Sequence, residues 1–145
     1  HMNLMSGYVK VGENSDGSWN YASLRNSSSW LSLSYGKKWQ GVLFLGYLKN
    51  LGLSDKAHIP YLDAKIPSSD VYFCGNGFSN INQMYRINPQ VIYNIGKLNV
   101  GLEYQWTSVQ YGKYDDGKLN AHALADKDLH WIGNHRVNMM VRYNF

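Results

Sequence analysis

Apolar and polar residues alternate to the end of the chain. Between Gly133 and Phe145 one set of positions holds Val137, Met139, Val141, Tyr143 and Phe145, interrupted by Gly133 and His135. The other set holds Asn134, Arg136, Asn138, Met140, Arg142 and Asn144. A period of two is the period of a β-strand, whose side chains fall on opposite faces. A ribbon that is apolar on one side and cationic or amide-bearing on the other suits a wall between lipid and water better than a soluble core. The pattern therefore predicts an all-β fold, an antiparallel up-and-down transmembrane β-barrel.

Six such stretches are predicted, at 3–11, 28–35, 39–49, 84–94, 98–111 and 131–145. The connections between them run long, short, long, short, long. Gly36-Lys37-Lys38 and Asn94-Ile95-Gly96-Lys97 read as tight hairpin turns, whereas 12–27, 50–83 and 112–130 are polar and rich in Gly, Asn, Asp and Ser. With every strand reversing direction, the long loops gather at one end and the short turns at the other, as in outer-membrane barrels. Closing the second hairpin pairs Tyr93 with Leu98 and Val91 with Val100, and sets Asn88 opposite Glu103. Closing the first with a three-residue loop pairs Tyr35 with Trp39 and Leu31 with Leu43. A two-residue loop would flip the third strand and turn Val42, Phe44 and Leu48 outward instead.

Ring positions follow the same layout. Tyr35, Trp39, Tyr93, Tyr143 and Phe145 would form a lower girdle, and Tyr47, Tyr85, Trp106 and Trp131 an upper one. The steps from Trp131 to Tyr143, at about 3.3 Å each and tilted near 45°, rise roughly 28 Å, close to the apolar band of about 25 Å in such barrels. Six strands leave two unpaired edges that lipid does not tolerate. The stretches 57–66 and 71–78 could add a hairpin and raise the count to eight, but Pro60, Pro67, Gly75 and Gly77 interrupt them. The expectation is six to eight strands forming the C-terminal portion of a larger barrel. Pro89 removes a ladder donor inside the fourth strand and calls for a bulge or an interface position there.

Composition narrows the alternatives. The chain has 145 residues, one domain's worth, and no apolar run of transmembrane-helix length. Residues 1–2 read as a cloning scar and 3–145 as the barrel, with a native leader or more removed. Tyr (12) and Trp (5) are abundant while charged residues make up only 17%, which favours an interface over a solvated surface. The net charge of +4 is dispersed, Lys37-Lys38 being the sole adjacent basic pair, so no nucleic-acid partner is expected. The lone Cys74 excludes an intrachain disulfide and a Cys-based zinc site.

The inward positions form the candidate site. They are Arg86, Asn88 and Gln90 on the fourth strand, Asn99, Glu103, Gln105 and Thr107 on the fifth, and Asn134, Arg136, Asn138, Arg142 and Asn144 on the sixth. Three arginines against one glutamate would make a mildly anion-favouring wall. The plainer reading pairs those arginines structurally.

Two kinds of segment carry a family resemblance. Val141-Arg142-Tyr143-Asn144-Phe145, with Tyr third from the end and Phe last, resembles the C-terminal signal by which the assembly machinery recognises bacterial outer-membrane barrels. Val141, Tyr143 and Phe145 would be its membrane-assembly residues. Tyr47-Leu48-Lys49-Asn50-Leu51-Gly52 and Met84-Tyr85-Arg86-Ile87-Asn88-Pro89-Gln90 resemble closing strands of large porin-like barrels from Gram-negative anaerobes. The resemblance covers most of this chain and a minor part of such a protein. It implies a bacterial outer-membrane location and a pore for passive diffusion of small solutes. Its implied partners are outer-membrane lipid, the barrel-assembly machinery, and either further copies or the N-terminal strands of the same barrel.

Catalytic and metal-binding readings are weaker. His58, His122, His130 and His135 lie in or beside predicted loops near Asp126 and Asp128, where solvent-facing histidines are the ordinary case. Asp126-Lys127-Asp128-Leu129-His130 matches no ligand spacing. Glu13-Asn14-Ser15-Asp16-Gly17 fails the calcium-loop spacing and reads as a turn. Gly75-Asn76-Gly77 lacks the rest of a dinucleotide fingerprint, and Cys74 reads as an inert loop thiol. No enzyme activity and no cofactor are expected. The rival class is a soluble ligand-binding β-barrel or sandwich whose rings would line a cavity.

Overall fold

The computed structural model describes residues 6–53, 66–67, 71–74, 80–116, 118–120 and 122–145. Among these residues every regular element is a strand: β1 (Ser6–Glu13), β2 (Trp19–Gly36), β3 (Trp39–Leu53), β4 (Ile66–Pro67), β5 (Val71–Cys74), β6 (Ile81–Ile95), β7 (Leu98–Lys113), β8 (Lys118–Leu119) and β9 (Lys127–Tyr143). Seven lie side by side in one curled sheet in the order β5-β1-β2-β3-β6-β7-β9, each antiparallel to its neighbours, and β4 pairs with β8 in a separate ribbon.

The curl follows from which face is crowded. Along β6 and β7, Pro89, Val91, Leu102 and Tyr104 are exposed, whereas Asn88, Gly101 and Thr107 are buried. Side chains converge on a concave face and spread apart on a convex one, so the alternation of exposure identifies the polar face as the concave side. The sheet is open among the described residues, because no strand pairs with the far side of β9. Both edge strands, β5 and β9, run in the same direction, as alternate strands of an antiparallel sheet must. They cannot join each other antiparallel.

Several expectations change. The 12–27 segment is not a long loop: β1 and β2 close through Asn14 to Ser18, and β2 begins at Trp19. The Asn14 amide bonds the Ser18 carbonyl at 2.8 Å, and the Ser18 hydroxyl and amide both donate to the Asp16 carboxylate, at 2.6 and 2.9 Å. The Ser18 hydroxyl, and then its amide, hold the Asp16 carboxyl below the usual aspartate range. Glu13 to Gly17 is therefore a turn, as its composition indicates. Residues 19–27 are rich in Asn and Ser, and they form a strand because Tyr21, Ala22 and Ser23 pair with Lys10, Val9 and Tyr8. Ladder pairing overrides weak intrinsic propensity.

Both short hairpins close one residue further along each partner than expected. Gly36 pairs with Gln40 and Leu31 with Leu45, where Tyr35–Trp39 and Leu31–Leu43 were expected. Gly36 has φ +106, and a Cβ there would stand 2.0 Å from the Trp39 carbonyl oxygen, so only glycine fits the turn. In the second hairpin Ile95 pairs with Leu98, Tyr93 with Val100, and Gln90 rather than Asn88 with Glu103. A two-residue turn at Gly96-Lys97 replaces the wider one. Each shift totals two residues, so the faces stay as assigned and Leu43 remains on the convex side.

Cys74 lies in β5, whose residues pair with β1, and not in a loop. Ile66–Pro67 pairs with β8 instead of joining the main sheet. The remainder of the 57–66 and 71–78 stretches, with His58 and Gly75-Asn76-Gly77, falls outside the described residues. Pro89 faces Leu43 on β3, and the β6–β7 ladder skips from Ile87–Trp106 to Gln90–Glu103. That gap accommodates the missing donor.

The buried core sits at the long-loop end. Val9, Ala22, Leu53 and Val71 from the concave side of β1, β2, β3 and β5 meet Leu119, Ala123 and Ala125 from the β7–β9 connection, which folds over them. Tyr114 packs beside this cluster, and burial pushes its phenol up. Asn120 organises the connection: its side-chain oxygen accepts the amides of His122 and Leu124, and its amide group donates to Asp126. The His122 carbonyl accepts the Leu53 amide at 3.0 Å beside Gly52, where φ is +68 and a Cβ would clash. Register irregularities in four ladders, near Val11, Arg25, Asn82 and Gly112, fall at this same end and bend the strands toward the cap. Leu119 is 1% exposed. Leu119→Ala should lower the unfolding free energy by about 2–5 kcal/mol, read as a shift of the urea midpoint.

Candidate functional site

The site is built by the register of two ladders, β6–β7 and β7–β9. From β6 to β7 and β9, Arg86 stands beside Thr107 and Asn134, Gln90 beside Glu103 and Asn138, and Gln105 beside Arg136. Asn99 lies between Asn94 and Arg142. Arg86, Asn88, Gln90, Glu103, Gln105, Arg136, Asn138 and Arg142 thus share the concave face.

Glu103 is the centre of this network. Gln90 donates to one carboxylate oxygen at 2.6 Å and Asn138 to the other at 2.8 Å. Both strong acceptor positions are occupied by neutral amides, so the charge of Glu103 is solvated by dipoles and not cancelled by a guanidinium. Arg86 donates from Nε to the Thr107 hydroxyl at 3.0 Å, an oxygen that also accepts from Gln105 at 3.2 Å. Arg136 and Arg142 are exposed, and among the described residues neither has an ionic partner. Of the three arginines for which structural pairing was considered, Arg86 is held by the Thr107 hydroxyl, while Arg136 and Arg142 stand on the concave side without an ion pair among the described residues. Asn88 donates to Gln105 at 3.5 Å, while its buried side-chain oxygen has no partner. Toward the short turns a ladder of amides runs from Asn144 to Asn99 to Asn94.

The concave wall is not polar throughout. Val42, Phe44 and Leu48 from β3 face the same side, opposite Gln90, Asn88 and Met84, and Ser28, Ser32 and Ser34 of β2 continue it. These three serines were not singled out from the sequence. Their alternation with Leu31, Leu33 and Tyr35 was the signal that could have found them.

On the convex face the rings fall at two levels. Trp39 and Tyr93 are paired, with centroids 4.3 Å apart, at the short-turn level, and Tyr143 meets Phe145 at 5.2 Å. Tyr47 pairs with Tyr85 at the other level, where Tyr85 is 5.3 Å from Trp106 and 5.2 Å from Trp131. Between the levels the surface is aliphatic and uncovered: Leu33, Val91, Leu102, Val137, Met139 and Val141 are each more than half exposed. No helix is present among the described residues.

No family model, curated protein or solved structure matches this chain. The histidines are scattered. His135 lies within β9 on the convex face and not in or beside a loop; its Nδ1 is 2.6 Å from the Tyr104 hydroxyl, and its ring stacks on Trp106. His130 bonds the Asp128 carbonyl at 2.9 Å, and Asp128 pairs with Lys113 at 3.1 Å. His122 takes part through its backbone. Among the described residues no three His, Cys, Asp or Glu side chains gather as a metal site. Glu103→Ala would strip two amides of their acceptor and should cost about 2 kcal/mol, whereas Glu103→Gln should cost less, as measured by urea unfolding.

Proposed function

We propose that this chain is part of the wall of an outer-membrane β-barrel and that the barrel is a porin-like channel for passive diffusion of small solutes. The observation that carries the reading is the uncovered convex face. A continuous aliphatic surface of this kind is rare on soluble monomers, where apolar patches larger than a few hundred Å² mark contact sites. Bracketed by aromatic rings at both ends and backed along β6, β7 and β9 by a largely polar face, it has the chemistry of a strand layer between hydrocarbon and water.

The edges extend the reading. Because β5 and β9 run the same way, an antiparallel closure needs an odd number of further strands, which suits a C-terminal portion of a larger barrel. The soluble alternative needs the rings inside a cavity, and the two girdles stand on the convex side. The lining proposed for the lumen is the concave set, with Arg86, Arg136 and Arg142 favouring anions, and Val141, Tyr143 and Phe145 are proposed as the residues read by the assembly machinery.

Two experiments test the reading. Along β9, Val137 lies midway between Trp131 and Tyr143, and Val141 lies near the short-turn ring. Val137→Arg should cost about 2–4 kcal/mol in detergent or bilayer unfolding and Val141→Arg about 0–1 kcal/mol; equal costs would count against a depth-dependent lipid contact. In bilayer conductance recordings, Arg136→Ala with Arg142→Ala should move the reversal potential toward cation preference, and an unchanged potential would remove both from the pore lining.

A further inference from the structure

Charge at the two ends of the sheet is distributed differently. At the long-loop end Glu13, Asp16, Asp115, Asp116, Asp126 and Asp128 mix with Lys113, Lys118 and Lys127. At the short-turn end the two turns hold Lys37, Lys38 and Lys97, all exposed. Among the described residues no carboxylate side chain accompanies them. The nearest along the chain is Glu103, five residues into β7 from Leu98, about 16 Å away at strand rise, and it is occupied by Gln90 and Asn138. Arg142 adds a further cation near this end.

The turn backbone is tied down without the lysine side chains. Asn94 donates its amide to the Lys38 carbonyl at 2.8 Å and its side-chain amide to the Lys37 carbonyl at 2.6 Å. The Asn144 amide donates to the Lys97 carbonyl at 2.9 Å. The turn carbonyls are thus satisfied internally, and the ammonium groups make none of these bonds. Directly above them lies the lower ring set, with Tyr35 90% and Trp39 63% exposed. Lys38 Nζ lies 5.8 Å from the centroid of the Tyr93 ring, which links the cationic rim to the aromatic level.

We infer that the short-turn end docks on a leaflet of anionic phospholipid, its lysines on the phosphate headgroups and its rings at the headgroup–acyl boundary. The inference rests on the membrane reading above and adds the headgroup chemistry and the end of the molecule that meets it. Aromatic rings favour the interfacial zone. Lysines placed beside an anionic surface are attracted to it within a Debye length. The mixed charge of the opposite end gives no such preference.

The test is lipid retention measured by native mass spectrometry. The protein is taken from micelles containing equal amounts of phosphatidylglycerol and phosphatidylcholine, and circular dichroism confirms the β-sheet of each variant. The unaltered chain should retain phosphatidylglycerol preferentially. Each lysine contributes about a fivefold preference at low salt, so Lys37→Gln, Lys38→Gln and Lys97→Gln together should lower the ratio by up to about a hundredfold. Lys113→Gln, Lys118→Gln and Lys127→Gln at the other end should leave the ratio unchanged. Equal retention of the two lipids, an unaltered ratio in the turn variant or an equal loss in the long-loop variant would overturn the headgroup assignment alone. Retention of neither lipid by the unaltered chain would overturn the membrane reading and this inference with it.

Discussion

The pleat of the β-strand is the constraint on which this structure depends. Each residue must face one side or the other, and antiparallel pairing couples that choice across neighbours: Trp39 with Tyr93, Tyr93 with Val100, Val100 with Val141. A slip of one residue in any ladder would exchange the polar and apolar faces of every strand beyond it. Both short hairpins differ from their expected closure by a combined shift of two, which preserves the faces. The polar set of β6, β7 and β9 therefore stays on the concave side and the aliphatic band on the convex side, even though individual cross-strand partners change and Val42, Phe44 and Leu48 of β3 bring apolar side chains to the concave wall.

Burial in this protein is unevenly placed. The well-packed cluster around Val9 and Leu119 lies under the β7–β9 connection at one end, while aliphatic residues along the body of the sheet are uncovered. A β-sheet ordinarily hides its apolar face under a second layer. Here the bulges and the capping connection consolidate the long-loop end, and the rest of the apolar face is uncovered among the described residues. The membrane reading proposed above assigns hydrocarbon to that uncovered surface, because it would suit both the aliphatic band and the rings that bound it.

The concave electrostatics turn on how Glu103 is satisfied. Amide donors from β6 and β9 solvate its charge, so the arginines are not consumed in neutralising it. Arg86 is steered by the Thr107 hydroxyl, and Arg136 and Arg142 project into the trough. The same economy of ion pairing recurs at the short turns, where side chains of Asn94 and Asn144 tie down backbone carbonyls and leave the lysines as the exposed charge.

The sequence by itself determined the all-β class, five of the long strands to within a few residues, the side on which each stands, and the polar-face residues of β6, β7 and β9 but not the serines of β2. Those follow from local alternation, which the pleat converts directly into geometry. Tertiary structure decided the rest. The strand at residues 19–27 exists because β1 pairs with it, although its Asn- and Ser-rich composition suits a loop. Gln90 and not Asn88 meets Glu103 because a positive-φ glycine admits a tighter turn than the spacing implied. Leu119, Ala123 and Ala125 joined the core because the chain folded a connection back over β1, β2, β3 and β5. Those contacts join residues far apart along the chain, and no local period records them.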